Sequence, residues 1–401
     1  MNPSASPVEH IKRWQSEFTA VRRDLHAHPE LGFEEHRTAQ TVADQLAAMG
    51  IEHTTGIGRT GIVAVIRGTS QSSGRTIGLR ADMDALPMQE ENTFAHRSQV
   101  DGRMHGCGHD GHTTMLLAAA RYLAETRRFD GTAYLIFQPG EEGYAGGKAM
   151  LDDGLFERFP ADQVYALHNW PGLAAGKIAV RPGPMMAAAD RIEIHIAGRG
   201  GHGAHPDLAI DPVVVAAHII LAAQSIVSRN VDPVDTAVVS LCAMQAGNLG
   251  AMSVIPREAH LVGTVRTFRT ATQDMIEKRL GELVQSIAAA FGATARLDYK
   301  RIYPATINTD AEATFAASVA AGVVGADNVV HDLPASMGSE DFSFMLQKRP
   351  GAYARLGQGG DGVGHGAFLH SSSYDFNDAV IAVGAGYLSA LAERGMPLDP
   401  R

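Results

Sequence analysis

The stretch MHGCGHDGHTT, residues 104–114, places three histidines and one cysteine close together. Histidine nitrogen and cysteine thiolate are both good ligands for zinc and similar divalent ions. The three glycines of the stretch let the backbone bend tightly, so neighbouring side chains can turn toward one point. Because Cys107 and Cys242 are the only cysteines of the chain, it has no CxxC pair, and a structural cysteine-rich zinc site is excluded. The other ligands of a metal site must therefore come from distant segments.

Three distant segments contain candidates for those ligands. Glu141 and Glu142 follow the apolar stretch TAYLIFQP, His168 lies at the end of another in ALHNWP, and His370 lies near the C-terminus in AFLHSSSYDFND. In open α/β sheets, sites are built beyond the carboxyl ends of strands, where such segments can converge on one crevice. Two carboxylates directly after a strand also suit proton transfer.

The same residues allow plainer interpretations. A single histidine at a strand end, such as His168 or His370, is more often a structural residue than a ligand. The adjacent glutamates can form a solvated turn. Cys107 can be a buried apolar residue, or a nucleophile with His109 or His112 as its base. A thiol enzyme of that kind would be inactivated by alkylation and would be indifferent to chelators.

Predicted strands and helices alternate in the first part of the chain, as they do in an α/β sheet. From residue 190 onward, a β-α-β-β-α-β order is typical of a ferredoxin-like domain. Cys242 lies in one of its predicted strands, AVVSLCAM, and is expected in the core. After residue 303 the α/β pattern resumes. The predicted elements of the first part are strands at 61–68, 76–82, 132–139 and 163–170 and helices at 34–50 and 111–125.

These patterns predict three segments along the 401 residues of the chain. Residues 1–186 and 304–401 form the two parts of an α/β domain. Residues 187–303 form an inserted α+β domain. A chain of this length is expected to divide into two or three compact units.

Composition narrows the class of protein. The chain has 34 Lys and Arg against 44 Asp and Glu, a net charge of −10, with no basic block, so nucleic acid is not an expected partner. Two cysteines make no disulfide framework, which fits a reducing cytoplasm. The N-terminal sequence lacks the apolar stretch of a secretory leader, and the longest apolar run, VVVAAHIILAAQ, is too short to span a bilayer. We expect a soluble, cytoplasmic protein.

Several long motifs, in order over roughly residues 20–380, resemble those of the dinuclear metallo-aminoacylases and carboxypeptidases. The similarity is greatest to the branch of hippurate hydrolase and the plant auxin-conjugate amidohydrolases. It implies a metallopeptidase-type catalytic domain with a mixed sheet flanked by helices, and a lid and dimerisation role for the insertion. The motifs are RRDLHAHPELGFEE, LRADMDALPM, MHGCGHDGH, FQPGEEG, ALHNWP, GRGGHGAHP, VIPREAHLVGTVRTF, MGSEDFSFML and LHSSSYDFND.

The resemblance implies that two divalent metal ions are bound, and that Glu141 is the general base next to a ligand. A carboxylate within reach of an activated water can accept its proton. Histidine, glutamate and cysteine suit zinc, manganese, cobalt and nickel, so neither the metal nor the bridging ligand is chosen. The residues that match metal ligands of the family are Cys107, His109, Glu142, His168 and His370.

Further residues acquire roles only through the resemblance. Asp84 matches the carboxylate that orients a ligand histidine. Asp82 occupies a place where other branches have a metal-binding histidine. His202 matches a histidine that the partner subunit of a dimer contributes to the active site. Arg266 matches an arginine near the substrate carboxylate, and Ser253 stands where many members have an asparagine that can contact the substrate.

The implied reaction is hydrolysis of the amide bond of an N-acyl-amino acid, such as a benzoyl, indole-acetyl or short aliphatic acyl conjugate. The products are a carboxylic acid and an amino acid. The alternative within hydrolases is a dipeptidase or carboxypeptidase on the same dinuclear site. A catalytically inactive binding protein of the same fold would have lost Glu141 or a ligand, and this sequence retains them all.

Overall fold

The structure is a computed structural model that describes residues 6–360 and 367–399. The chain divides into two compact units. The second unit comprises Met186–Thr306 and Ala335–Glu340, and the first comprises the remaining described residues. The hexapeptide Ala335–Glu340 thus belongs to the second unit, although it lies within the third predicted segment.

The first unit is built on a mixed sheet of eight strands among its described residues. Its four central strands run parallel, whereas Gly61–Arg67 and Glu52–Ile57 add to one side in antiparallel pairings. The predicted α/β class and mixed sheet are confirmed. In spatial order the strands are Glu52–Ile57, Gly61–Arg67, Thr132–Gln138, Thr76–Asp82, Gln163–Trp170, Gly351–Gly357, Ile178–Ala179 and Val329–Val330.

The central strands are apolar because helices cover both faces of a parallel sheet. Gly351–Gly357 is buried at every residue, and Thr76–Asp82 at every residue except the first. The helix His109–Thr126, predicted at 111–125, is buried along almost its whole length. Among the described residues, the α-helices of the first unit are Pro7–Ile11, Gln15–Ala27, His36–Ala48, His109–Thr126, the short kinked Glu141–Tyr144, Gly146–Asp152, Leu155–Arg158, Asp310–Val324, Phe342–Leu346 and Ile381–Gly395.

The second unit has the predicted β-α-β-β-α-β order. Its antiparallel sheet has the spatial strand order Ala237–Ala246, Glu258–Thr267, Ala188–Ala197 and Thr294–Tyr303. Side chains alternate between the two faces of the sheet, so Ile192, Ile194 and Ile196 are buried. Two helices, Pro212–Arg229 and Thr270–Ala290, complete this core.

The prediction that Cys242 is a core residue is wrong. The pairing of its strand with Glu258–Thr267 shifts register between Leu241 and Ala243, and Cys242 is exposed. A bulge of this kind breaks the alternation of faces on which the prediction was based.

Among the described residues, one helix, Pro212–Arg229, is long and apolar enough to cross a membrane by length and composition alone. One such helix is weak evidence for a membrane span. Its Val215, Ile219 and Ile226 are buried in the core of the second unit.

Candidate metal centre

The predicted ligands Cys107, His109, Glu142, His168 and His370, hereafter the ligand set, come together in the first unit. They form two overlapping groups, Cys107 with His109 and His168, and Cys107 with Glu142 and His370. Within each group the ligand atoms lie within 4.8 Å of one another. Cys107 Sγ is 3.5 Å from His168 Nε2, and His370 Nε2 is 3.1 Å from Glu142 Oε1. Cys107 is common to both groups, so its replacement would remove a potential ligand from each.

The glycine between Cys107 and His109 permits this convergence. Gly108 has φ +91°, a conformation that side-chain-bearing residues rarely adopt. A Cβ at this position would lie 2.4 Å from Asn169 Oδ1 and 2.5 Å from the Tyr374 hydroxyl. His109 then starts the helix that follows. Only glycine therefore fits between the two ligands.

The partners of the histidines leave their Nε2 lone pairs available to a metal. Asp84 Oδ1 accepts a hydrogen bond from His109 Nδ1 at 3.2 Å, and the Asn169 carbonyl accepts one from His168 Nδ1 at 2.7 Å. Nδ1 is thus the donor in each ring, so Nε2 is unprotonated when the ring is neutral. His109 Nε2 is buried and has no hydrogen-bond partner among the described residues. The ligand set therefore fits divalent ions of the zinc class, which accept nitrogen, sulfur and carboxylate ligands.

Asp84 positions ligands from two segments. One of its oxygens orients His109, and the other accepts the backbone N–H of Glu142 at 2.9 Å. Asp82 is held differently, by Arg80 Nη1 at 2.7 Å and by His112 Nδ1 at 2.6 Å. Burial acts to raise the pKa of Asp82, but His109, Arg80 and His112 hold that pKa well below its usual range. Asp82 is therefore ionised, and the Arg80 guanidinium is its permanent cationic partner.

The electrostatics of the site oppose a thiol nucleophile. Burial raises the pKa of Cys107 well above its usual value, and the carboxylates of Glu142, Glu141 and Asp82 raise it further. A catalytic cysteine needs the opposite, a lowered pKa from neighbouring positive charge. A bound cation would supply that charge and ionise the thiol.

Carboxylates raise the pKa of His109, whereas burial dominates the pKa of His168. Burial lowers the pKa of His109, but Asp82 and Asp84 outweigh burial and raise it to about 10. Burial, together with His112, lowers the pKa of His168 well below its usual value, and the opposing effect of Asp82 is smaller. Without bound ions the site thus holds excess negative charge, which favours cations.

Glu141 adjoins the ligand set at a sharp turn of the chain. Gly140 and Gly143, at φ +56° and +87°, allow successive side chains of the turn to point in different directions. Glu141 is buried, its carboxylate lies within 4.8 Å of ligand atoms of His109 and Glu142, and its Oε1 accepts the Asp341 N–H at 3.3 Å. The arrangement places a fixed proton acceptor beside the ligand set.

Glu35 is a site residue that sequence reasoning missed. It is fully buried, and its two oxygens accept the Gly140 N–H at 2.7 Å and the Thr60 hydroxyl at 2.6 Å. Burial raises its pKa to about 7, although the Thr60 hydrogen bond acts to lower it. Glu35 therefore fixes the turn that presents Glu141. Its position within the predicted helix 34–50 gave no sign of burial, and its place in the motif HPELGFEE was the only signal.

The other three predicted site residues lie in the second unit. His202 and Ser253 are close together, because His202 pairs with Val254 across a two-stranded sheet and the Ser253 carbonyl accepts the Gly203 N–H at 2.7 Å. Arg266 lies elsewhere in the unit, half-buried, with its Nη1 3.4 Å from the Ser339 hydroxyl.

Comparison with known proteins places this site in a family. Residues 78–394 match Peptidase family M20/M25/M40. The chain is 43% identical to hippurate hydrolase of Campylobacter jejuni, with 96% of this chain and 98% of that protein covered. It is 38% identical to IAA-amino acid hydrolase ILR1-like 4 of Arabidopsis thaliana, with 93% and 84% covered.

A solved structure agrees with these sequence relatives. The Bacillus subtilis YXEP protein, described as a dinuclear metal binding peptidase from the M20 family, superposes with a TM-score of 0.83 at 33% identity. The match covers 96% of this chain and 99% of that one. The chain therefore belongs to Peptidase family M20/M25/M40.

Proposed function

We propose that the protein is a metal-dependent amidohydrolase that cleaves the amide bond of N-acyl-amino acids to a carboxylic acid and a free amino acid. The observation that carries this proposal is the pair of ligand groups sharing Cys107, with the carboxylate of Glu141 beside them. The similarity to a hippurate hydrolase and to a hydrolase of indole-acetyl conjugates supports the substrate class, since it extends over nearly the whole chain.

In this proposal, residues of the first unit bind the metal ions, transfer the proton or position these groups. The ligand set would hold two divalent ions, which could be zinc, manganese, cobalt or nickel. When bound, such ions lower the pKa of water and act as Lewis acids on the amide carbonyl. Glu141 accepts the proton of the attacking water and delivers it to the departing amine nitrogen. Asp84 and Glu35 hold the segments that carry the ligands and Glu141 in position.

The second unit, approximately residues 187–303, acts as a lid and dimerisation domain in this proposal. Its Arg266 binds the carboxylate of the amino-acid product half, which a guanidinium fork suits well. Ser253 contacts the substrate where many relatives have asparagine. His202 donates a hydrogen bond to the oxyanion that forms at the amide carbon.

The geometry of the second unit supports a homodimer in which His202 acts on the partner's site. On the strand Glu258–Thr267, Arg266 lies eight residues after Glu258. At the rise of a β-strand, this separates the two Cα atoms by ~27 Å. His202 pairs with Val254, which precedes Glu258 in the chain. The two side chains of one chain thus lie near opposite ends of the sheet, too far apart to contact one small substrate. We place this dimer in the cytoplasm, where two unpaired thiols remain reduced.

Mixing two inactive variants tests this arrangement. We expect His202→Ala to bind metal normally and to lose most of its turnover, because an oxyanion donor contributes roughly 10²–10³-fold. Mixed with Glu141→Gln protein under conditions of subunit exchange, it should regain activity, since a mixed dimer contains one site with both residues intact. His205→Ala is the matched control and should remain active alone. A mixture as inactive as its components would contradict action across subunits.

A substrate panel tests the reaction itself. We expect hydrolysis of benzoyl-, acetyl- or indole-acetyl-amino acids, measured as amino acid released, and much slower cleavage of dipeptides with a free amino terminus. The similarity to the Bacillus subtilis dinuclear metal binding peptidase supports the alternative of a dipeptidase or carboxypeptidase. Faster cleavage of dipeptides than of every N-acyl conjugate would establish that alternative instead.

A further inference from the structure

The second unit contains a cluster of metal-ligating side chains on the sheet face opposite its helices. Glu193 and His195 are two residues apart on the strand Ala188–Ala197, so both project to the same face. His260 is the direct cross-strand partner of His195, and Asp298 is the direct partner of Glu193 on the other side. Three neighbouring strands thus direct four donor groups to one point.

The ligand atoms of Glu193, His195 and His260 lie within 4.8 Å of one another, close enough for one ion to contact all three. His260 Nε2 is 3.2 Å from Glu193 Oε2, and His195 Nε2 is 3.4 Å from Asp298 Oδ2 and 4.0 Å from Glu193 Oε2. Bonds of about 2.0–2.2 Å to zinc imply ligand–ligand separations of about 3.4 Å in a tetrahedron. Small side-chain rotations are therefore enough to place these atoms around one ion.

The surroundings orient the carboxylates and leave the cluster open to solution. Arg191 binds Glu193 Oε1 at 2.7 Å, which leaves Glu193 Oε2 directed to the histidines. Arg296 binds Asp298 Oδ2 at 2.7 Å, so Asp298 is the ligand that must give up a partner. The rings of His195 and His260 stack at 4.3 Å and line a surface hollow of about 650 Å³. An ion can therefore enter the cluster directly from water.

We propose that Glu193, His195 and His260, with Asp298 as a fourth ligand, form a separate site for Zn²⁺ or a similar divalent ion. It is distinct from the ligand set around Cys107 and contains no thiolate. Because the ion would join three strands, it stabilises the second unit by mass action. Nothing in this assignment depends on the hydrolytic reaction.

Metal counting tests the proposal on the full-length protein. After equilibration with buffered free Zn²⁺, we expect the wild type to bind one ion more per chain than His260→Ala, by elemental analysis. His260→Gln, which retains a polar side chain of similar reach, should show the same loss. His218→Ala replaces an exposed histidine of the same unit outside the cluster and should bind as the wild type does. Hydrolysis per chain should be equal in all four proteins.

Cobalt distinguishes the two kinds of site directly. Co²⁺ bound at Cys107 gives a thiolate-to-metal charge-transfer band, whereas Co²⁺ held by nitrogen and oxygen gives only ligand-field bands. His260→Ala should lose part of the ligand-field absorption and none of the charge-transfer band. Equal zinc content in the wild type and both His260 variants, or a cobalt spectrum unchanged by the substitutions, would overturn the assignment.

Discussion

Replacing Glu141 by glutamine should lower kcat by about 10²–10⁴-fold, the usual contribution of a general base, while both metal ions stay bound. Glutamine has nearly the same shape and can still accept the Asp341 N–H, so the turn should keep its conformation. It cannot accept the proton of the attacking water. The measurements are kcat on an N-acyl-amino acid and metal content per chain of the same preparation.

The neighbouring residue provides the matched control for that variant. Glu142→Gln alters a carboxylate one position away that belongs to the ligand set, so it should lose metal as well as activity. The two adjacent substitutions therefore separate proton transfer from metal binding. Normal turnover in Glu141→Gln would remove Glu141 as the base, and loss of metal from it would make Glu141 a ligand.

Replacing Cys107 by alanine should release both ions, because the Cys107 Sγ belongs to each of the two ligand groups. Every other member of the ligand set belongs to one of those two groups, so His168→Ala should affect one ion more than the other. Elemental analysis after dialysis against a weak chelator measures the loss. Activity should fall with the metal content.

The second cysteine is the control for this variant. Cys242 is exposed on a bulged strand, and Cys242→Ala should keep both its metal and its activity. A Cys107→Ala protein that retains two ions but is inactive would show a nucleophilic thiol rather than a ligand. The raised pKa of Cys107, caused first by burial and then by Glu142, argues against that outcome.

Local features of the sequence mark the candidate ligands, and the resemblance to the family selects the ligand set among them. His109 lies in a glycine-rich stretch, and Glu142 and His168 lie at or just beyond the ends of apolar strands, where sites of α/β proteins form. The strands could also be predicted from the sequence, since Gly61–Arg67 and Thr132–Gln138 are nearly continuous apolar runs. The sequence could not predict that Cys107 belongs to both groups of potential ligands, because these groups contain side chains brought together from four segments.

Other elements escaped prediction because polar residues fill buried positions. The helix Gln15–Ala27 buries Phe18 and Leu25, but it also buries Arg22 and His26. Those two side chains bind carboxylates, among them Asp110, which offsets part of the cost of burying them. At the level of sequence they interrupt the apolar stripe that marks a helix. Glu35 is hidden for the same reason. The burial of a polar residue can be predicted only when the group that binds it is known.

Metal removal and reconstitution test the central claim most directly. Protein stripped with a strong chelator should hydrolyse no N-acyl-amino acid, and stepwise addition of Zn²⁺, Mn²⁺, Co²⁺ or Ni²⁺ should restore activity as the Cys107 centre fills with two ions per chain. Metal content per chain and the rate of hydrolysis are measured on the same samples. A metal-free protein that still hydrolyses these substrates at the full rate would contradict the account.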